Sequence, residues 1–100
     1  MADKIRVEIS KDLEVLIPRY LERRHKEVVS FRTQLGAGDF DALRIGGHSL
    51  KGSGGGYGFP LLTTIGSTIE IAAKAKDSAA IEAALVEYAD YIARVEVVYV

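Results

Sequence analysis

One hundred residues, 48% hydrophobic and 27% charged, suffice for one domain around a single core and lie far from a disordered composition. Thirteen basic against fourteen acidic residues leave a formal net charge of −1, which gives no general attraction to nucleic acid or an anionic membrane. No run approaches the roughly 18 to 20 apolar residues of a membrane span.

The opening residues, MADKIRVEIS, lack the apolar core of a signal peptide. The absence of cysteine removes disulfide and thiolate chemistry and fits a cytoplasmic address. Ile5, Val7 and Ile9 alternate with charged residues, which predicts a short extended arm over 1–9. Ser10 offers an N-cap, with Asp12 and Glu14 where a helix's positive end favours carboxylates. Pro18 lacks a donor and clashes with a preceding turn, so it kinks this helix or marks a new one starting close by. Beyond it Leu21, Val28 and Leu35, edged by Ile17 and Phe31, share one helical face, and Arg23, Arg24, Lys26 and Glu27 are expected mostly off it. Gly36-Ala37-Gly38 supplies a stop, and Asp39 caps the next helix.

That helix carries Phe40, Leu43, Gly47, Leu50, Gly54 and Tyr57 in one stripe, so it should persist at least through about Gly54. Another runs from about Phe59 with Pro60 in its first turn, on a stripe of Leu62, Ile65, Ile69, Ala72 and the stem of Lys76. Asp77 or Ser78 caps the last helix, whose face is Ile81, Ala84, Leu85, Tyr88, Tyr91 or Ile92, and Val95; the valine-rich tail after Arg94 is expected to fray. Four amphipathic helices with short connections predict an all-α fold, an antiparallel up-and-down four-helix bundle over about 10–99 with a short N-terminal arm or extra helix. A mixed α/β domain would need strands that only the first nine residues and the tail could provide.

Between Gly46 and Gly58 the sequence reads GGHSLKGSGGGYG, seven glycines in thirteen residues around one of only two histidines. A hydrolase nucleophile elbow, G-x-S-x-G, would need glycine where Lys51 stands, and helical sequence rather than a strand precedes Ser49. A phosphate-binding P-loop would need lysine where Ser53 stands. A metal site would need more ligands than His25 and His48, which lie on different helices without a partner at ligand spacing. His25 reads as a surface or partly buried helix histidine.

With His48 at zero on a helical wheel, Leu43, Leu50, Gly54 and Tyr57 lie about 120° to 180° away, so the imidazole faces outward. Asp41, Arg44, Gly52 and Gly55 fall within about 40° of it, and Ile45 and Lys51 flank it at about 60°. A helical glycine costs roughly 0.8 to 1 kcal/mol relative to alanine. Gly46, Gly47 and Gly54 point toward neighbouring helices, where close packing offsets that cost. Gly52 and Gly55 point to solvent beside His48, where a bare surface makes sense if something large must reach the ring. Imidazoles, with an ordinary pKa of about 6.5, are largely neutral and nucleophilic at cellular pH. Lys51, one turn on, can favour an anion attached to the ring. The combination suits acceptance of a phosphoryl group.

His48-Ser49-Leu50-Lys51-Gly52-Ser53 followed by Gly58 resembles the H-x-L-K-G-[SA]-x(4)-G signature of histidine-containing phosphotransfer (HPt) domains, and the resemblance spans essentially the whole chain as one domain over 1–100. It implies that His48 carries the phosphoryl group, Lys51 stabilises phosphohistidine, Gly52 gives clearance and Gly58 permits tight packing as the chain turns into the next helix. Many family members carry glutamine where Glu70 stands here. A carboxylate there would repel phosphate unless paired with Lys51 or Lys74; the favoured expectation is a surface residue, the alternative a group that orients the His48 ring.

The function expected is that of a stand-alone phosphoryl carrier in a multistep phosphorelay, taking phosphate from a receiver-domain aspartate and passing it to another. Its partners would be response-regulator receiver domains and a sensor or hybrid histidine kinase, with no nucleic acid or membrane, and the chain is expected to be a monomer. Mg²⁺ would come from the receiver, with no cofactor in this chain and no ATP-dependent activity of its own. Ile45, with Leu13 or Leu16, offers an apolar docking patch and Arg44 its rim. The alternatives are an HPt-like bundle that binds receivers or kinases without transferring phosphate, a module cut from a larger kinase, and, more distantly, an enzyme acting on a small molecule.

Overall fold

Apolar residues at three- and four-residue spacing set the helices, and the computed structural model, which describes residues 3–100, places four of them. They are α1 (Ile17–Gly36), α2 (Phe40–Gly54), α3 (Pro60–Lys74) and α4 (Ser78–Arg94). Pro18 sits in the first turn of α1, where its missing donor is harmless, so it starts the helix rather than kinking one. Ser10 caps only a short 3-10 turn, Lys11–Leu13, through its Oγ and the Asp12 N–H. Asp39 accepts from the Ala42 N–H and Asp77 from the Ala80 N–H, each 3.1 Å, fixing the starts of α2 and α4.

The stripes meet in one core of Ile17, Phe31, Leu43, Leu50, Leu62, Ile65, Ile69, Ile81, Leu85 and Tyr88, all at most 2% exposed. Tyr91 and Ile92 are both buried. Lys76 does not extend the α3 stripe: the helix ends at Lys74, and Lys76 takes a left-handed φ of 54° in the link to α4. Arg24 and Glu27 are not on the solvent side either. Their side chains are mostly buried, because Glu27 accepts a 2.7 Å hydrogen bond from the Tyr88 hydroxyl of α4 and lies 3.6 Å from the Arg24 guanidinium.

The fold is mostly helical, four helices compatible with the all-α expectation, and it adds a short parallel strand pair that was not expected. The arm forms β1 (Ile5–Ile9), and the tail expected to fray forms β2 (Val95–Tyr99), paired in parallel with Ile5 opposite Val95 and Ile9 opposite Tyr99. Val95, Val97 and Tyr99 pack against the core from one face of β2, as Ile5, Val7 and Ile9 do from β1, and that burial holds the tail. The first two residues of the expected arm lie outside the described residues.

The α2–α3 contact is the closest in the fold. A Cβ on Gly47 would lie 2.8 Å from the Glu70 nitrogen and 2.9 Å from the Gly66 carbonyl oxygen; a Cβ on Gly66 would collide with the backbone nitrogen of Lys51. Two helices can run backbone to backbone here only because both residues lack side chains. At the far end of α2, Gly58 takes φ +95° and leaves space for Ile9, so this turn needs glycine on two counts. No helix among the described residues is long and apolar enough to cross a membrane.

Candidate functional site

His48 lies on the outer face of α2 with its side chain 70% exposed. Leu43, Gly47 and Leu50 take the buried face, as the wheel requires. Because Gly47 and Gly66 bring α3 so near, Glu70 comes up directly beside the ring. His48 Nδ1 is 2.9 Å from Glu70 Oε2, and the Glu70 side chain is only 10% exposed. The expectation that Glu70 is a surface residue is therefore overturned. A carboxylate can be buried here because three groups answer it: the imidazole, Lys51 Nζ at 3.7 Å from Oε1, and Lys74 Nζ at 3.8 Å from Oε2.

Burial alone would push the Glu70 carboxyl up; the hydrogen bond with His48, its charge when protonated, and the ammonium groups of Lys74 and Lys51 outweigh that and hold it below its usual range. The group is thus ionised at neutral pH and can only accept. The hydrogen on His48 accordingly sits on Nδ1, and in the neutral ring the lone pair is on Nε2, at the opposite side of the imidazole from Glu70.

The helix below the ring is pinned by Thr63 of α3, whose Oγ1 donates to the Lys51 carbonyl at 2.9 Å and accepts from the Gly55 N–H at 2.8 Å. This clamp, like Gly66, was not singled out from the sequence. The signal was present in both: a glycine stripe on α2 demands a facing surface equally flat and able to bond a loosely held helix end.

The predicted clearance is where the wheel put it. Gly52 is exposed with open space around it, and Gly55 is exposed with only Thr63 Oγ1 near its α-carbon face. Gly46 admits the Phe31 ring and Gly54 the backbone of Thr63, so these two serve packing. Of the proposed docking residues, Ile45 is 55% exposed, and Arg44 pairs with Asp41 at 2.8 Å on the same outer face. Leu13 packs against the core instead, and Leu16 is half exposed at the start of α1. A groove of about 480 Å³ runs between α1 and α2, with Arg23, Arg24 and Lys26 on one wall and Ile45 and Gly46 on the other. His25 is exposed on α1. No group of three or more His, Cys, Asp or Glu side chains that could hold a metal ion occurs among the described residues.

Compared with protein-family models, curated proteins and solved structures, the chain matches none.

Proposed function

We propose that this chain is a phosphoryl carrier of a multistep phosphorelay, an HPt-like antiparallel bundle that accepts phosphate on His48 from a receiver-domain aspartate and hands it to another. One observation carries this reading: an imidazole 70% exposed whose Nδ1 is committed to an ionised carboxylate, leaving Nε2 as its free nitrogen, with Lys51 held on that same carboxylate.

The chemistry follows from that tautomer. The Nε2 lone pair attacks phosphorus of the aspartyl phosphate in line; an N–P bond forms, the acyl P–O bond breaks, and the aspartate leaves as carboxylate. No proton has to move. The ring becomes cationic with its hydrogen still on Nδ1, where the Glu70 charge offsets it. Lys51, 47% exposed, can turn from Glu70 to the transferred group, and Lys74 then keeps the carboxylate paired. Magnesium bound in the receiver's acidic site would supply the remaining charge stabilisation. The groove beside Ile45, where Arg23 and Lys26 stand outside the Arg24–Glu27 pair, suits an acidic receiver surface. A bundle that merely bound receivers would have no use for a buried carboxylate aimed at an exposed ring.

The test is incubation with a phosphorylated receiver. Label that is acid-labile and alkali-stable should appear on His48 and be absent from His48→Gln. Transfer that survives this substitution would remove the proposal.

A further inference from the structure

β1 and β2 form a two-stranded ladder, with no third strand beside them among the described residues. Such a ladder is weak alone, since parallel pairing is slightly less stable per residue than antiparallel and an isolated strand pair is marginal in water. The open edge of β1 has a definite composition. The Ile9 carbonyl accepts from the Val100 N–H at 2.9 Å, so Ile5, Val7 and Ile9 turn their backbone groups to β2. By alternation, Arg6 and Glu8 turn theirs to the open edge. Their side chains stand on the outer face, 66% and 59% exposed and 3.2 Å from one another, a solvated pair that each would exchange for the second copy's charge, while Ile5, Val7 and Ile9 pack inward.

The strand reads Ile-Arg-Val-Glu-Ile, the same from either end except that its two charges exchange sign. We propose that this edge is the interface of a homodimer, in which two copies of β1 pair antiparallel about Val7 and extend the ladder to four strands. Arg6 then faces the second copy's Glu8, Glu8 faces Arg6, and Val7 meets Val7 at the two-fold axis. Arg6 and Glu8 are the residues whose backbone groups point outward, so they take the hydrogen-bonded positions that this register requires.

The charges also select the register. Sliding by two residues either way would set Arg6 against Arg6 or Glu8 against Glu8, and sliding by one would invert the faces. Charges that only shielded an edge would do so best with one sign; opposite signs placed symmetrically about Val7 attract the identical strand. The free edge of β2 is a poorer match, since pairing about Val97 would set Glu96 against Val98. A dimer departs from the monomer expected from the sequence, and does not depend on what His48 does.

Sedimentation equilibrium across micromolar to submillimolar concentration tests this. A chain of 10.9 kDa should rise toward about twice that mass, roughly 21.8 kDa. Glu8→Arg makes both cross-strand pairs Arg–Arg and should weaken association about tenfold or more. Exchanging the charges with Arg6→Glu and Glu8→Arg together should restore it. Mixing the single variants Glu8→Arg and Arg6→Glu should give a heterodimer, with helical circular dichroism unchanged throughout. A wild-type chain that stays monomeric at every concentration, or a dimer indifferent to Glu8→Arg, overturns the proposal.

Discussion

The imidazole of His48 and the carboxylate of Glu70 meet at 2.9 Å across the α2–α3 contact, one ring mostly in water and one carboxylate mostly out of it. The pairing fixes the tautomer and the orientation of the ring at once. Removing it should leave the ring free to rotate and to protonate at either nitrogen. Glu70→Ala is expected to slow transfer from a phosphorylated receiver by about ten- to a hundredfold, by analogy with metal-binding histidines that lose their orienting carboxylate. Glu70→Gln keeps an acceptor without the charge and should fall between. The loss should appear in the maximal transfer rate, with the receiver concentration giving half that rate little changed. An alanine variant as fast as wild type would show that the ring needs no holding.

Lys51 lies 3.7 Å from Glu70, and under the proposed function it would also meet the transferred phosphate. Lys51→Ala should keep the fold, because its ammonium is half exposed and packs nothing in the core. It should slow transfer by about five- to tenfold through the lost charge-assisted contact. It should also let the Glu70 carboxyl titrate nearer its ordinary 4.5, since one of the charges holding it low is gone. In wild type the depressed folded-state value means that Glu70 contributes stability above about pH 4.5, lost as pH falls through that lowered value. In Lys51→Ala that contribution should be smaller and its loss complete at a higher pH. Carboxyl chemical shifts followed across an acid titration read both effects; identical curves would separate Lys51 from the site.

Gly52 on α2 and Gly66 on the facing α3 are glycines of two kinds, which one substitution apiece distinguishes. Gly52 meets nothing within 4 Å, so Gly52→Ala should raise stability by about 0.5 to 1 kcal/mol through helix propensity alone. If the bare surface exists for a docking partner, the same variant should transfer phosphate more slowly despite its higher Tm. Gly66→Ala has no such freedom, because its methyl would strike the Lys51 backbone. It should lose about 1 to 3 kcal/mol and carry Glu70 away from His48 as α3 backs off. Paired thermal melts and transfer rates check this; a Gly52→Ala protein that is both more stable and equally fast would leave Gly52 without a functional role.

The legible parts of the molecule were those governed by local rules. Helix periodicity placed Leu43, Gly47 and Leu50 inward and His48 outward, and side-chain chemistry gave the cap at Asp39 and narrowed the last to Asp77 or Ser78, of which Asp77 is the cap. What escaped depended on partners distant in sequence. Val95 to Tyr99 is too apolar to show alternation clearly, and its ladder partner lies some ninety residues earlier. Glu27 looked like a solvated charge because nothing on α1 reveals that Tyr88 of α4 will donate to it. Glu70 was misplaced for a related reason: its burial depends on Gly66, whose closeness to Gly47 is a property of two helices together.

Glu27 offers a test of that buried pairing through pH. Burial pushes its carboxyl up, and the hydrogen bond from Tyr88 and the charge of Arg24 pull it back without prevailing. The Tyr88 hydroxyl, raised well above its ordinary range chiefly by its own burial, remains a donor throughout. A carboxyl raised in the folded state binds its proton more tightly there than in the unfolded chain. Wild-type stability from this group is therefore complete below about pH 4.5 and declines as pH rises through the raised value. Glu27→Gln retains an oxygen for Tyr88 and never ionises. Its stability relative to wild type should climb over that window and level off above it, as urea unfolding at a series of pH values would show. A difference that stays flat, or falls as pH rises, would mean that Arg24 and Tyr88 outweigh burial and that the ionised carboxylate is the form the fold favours.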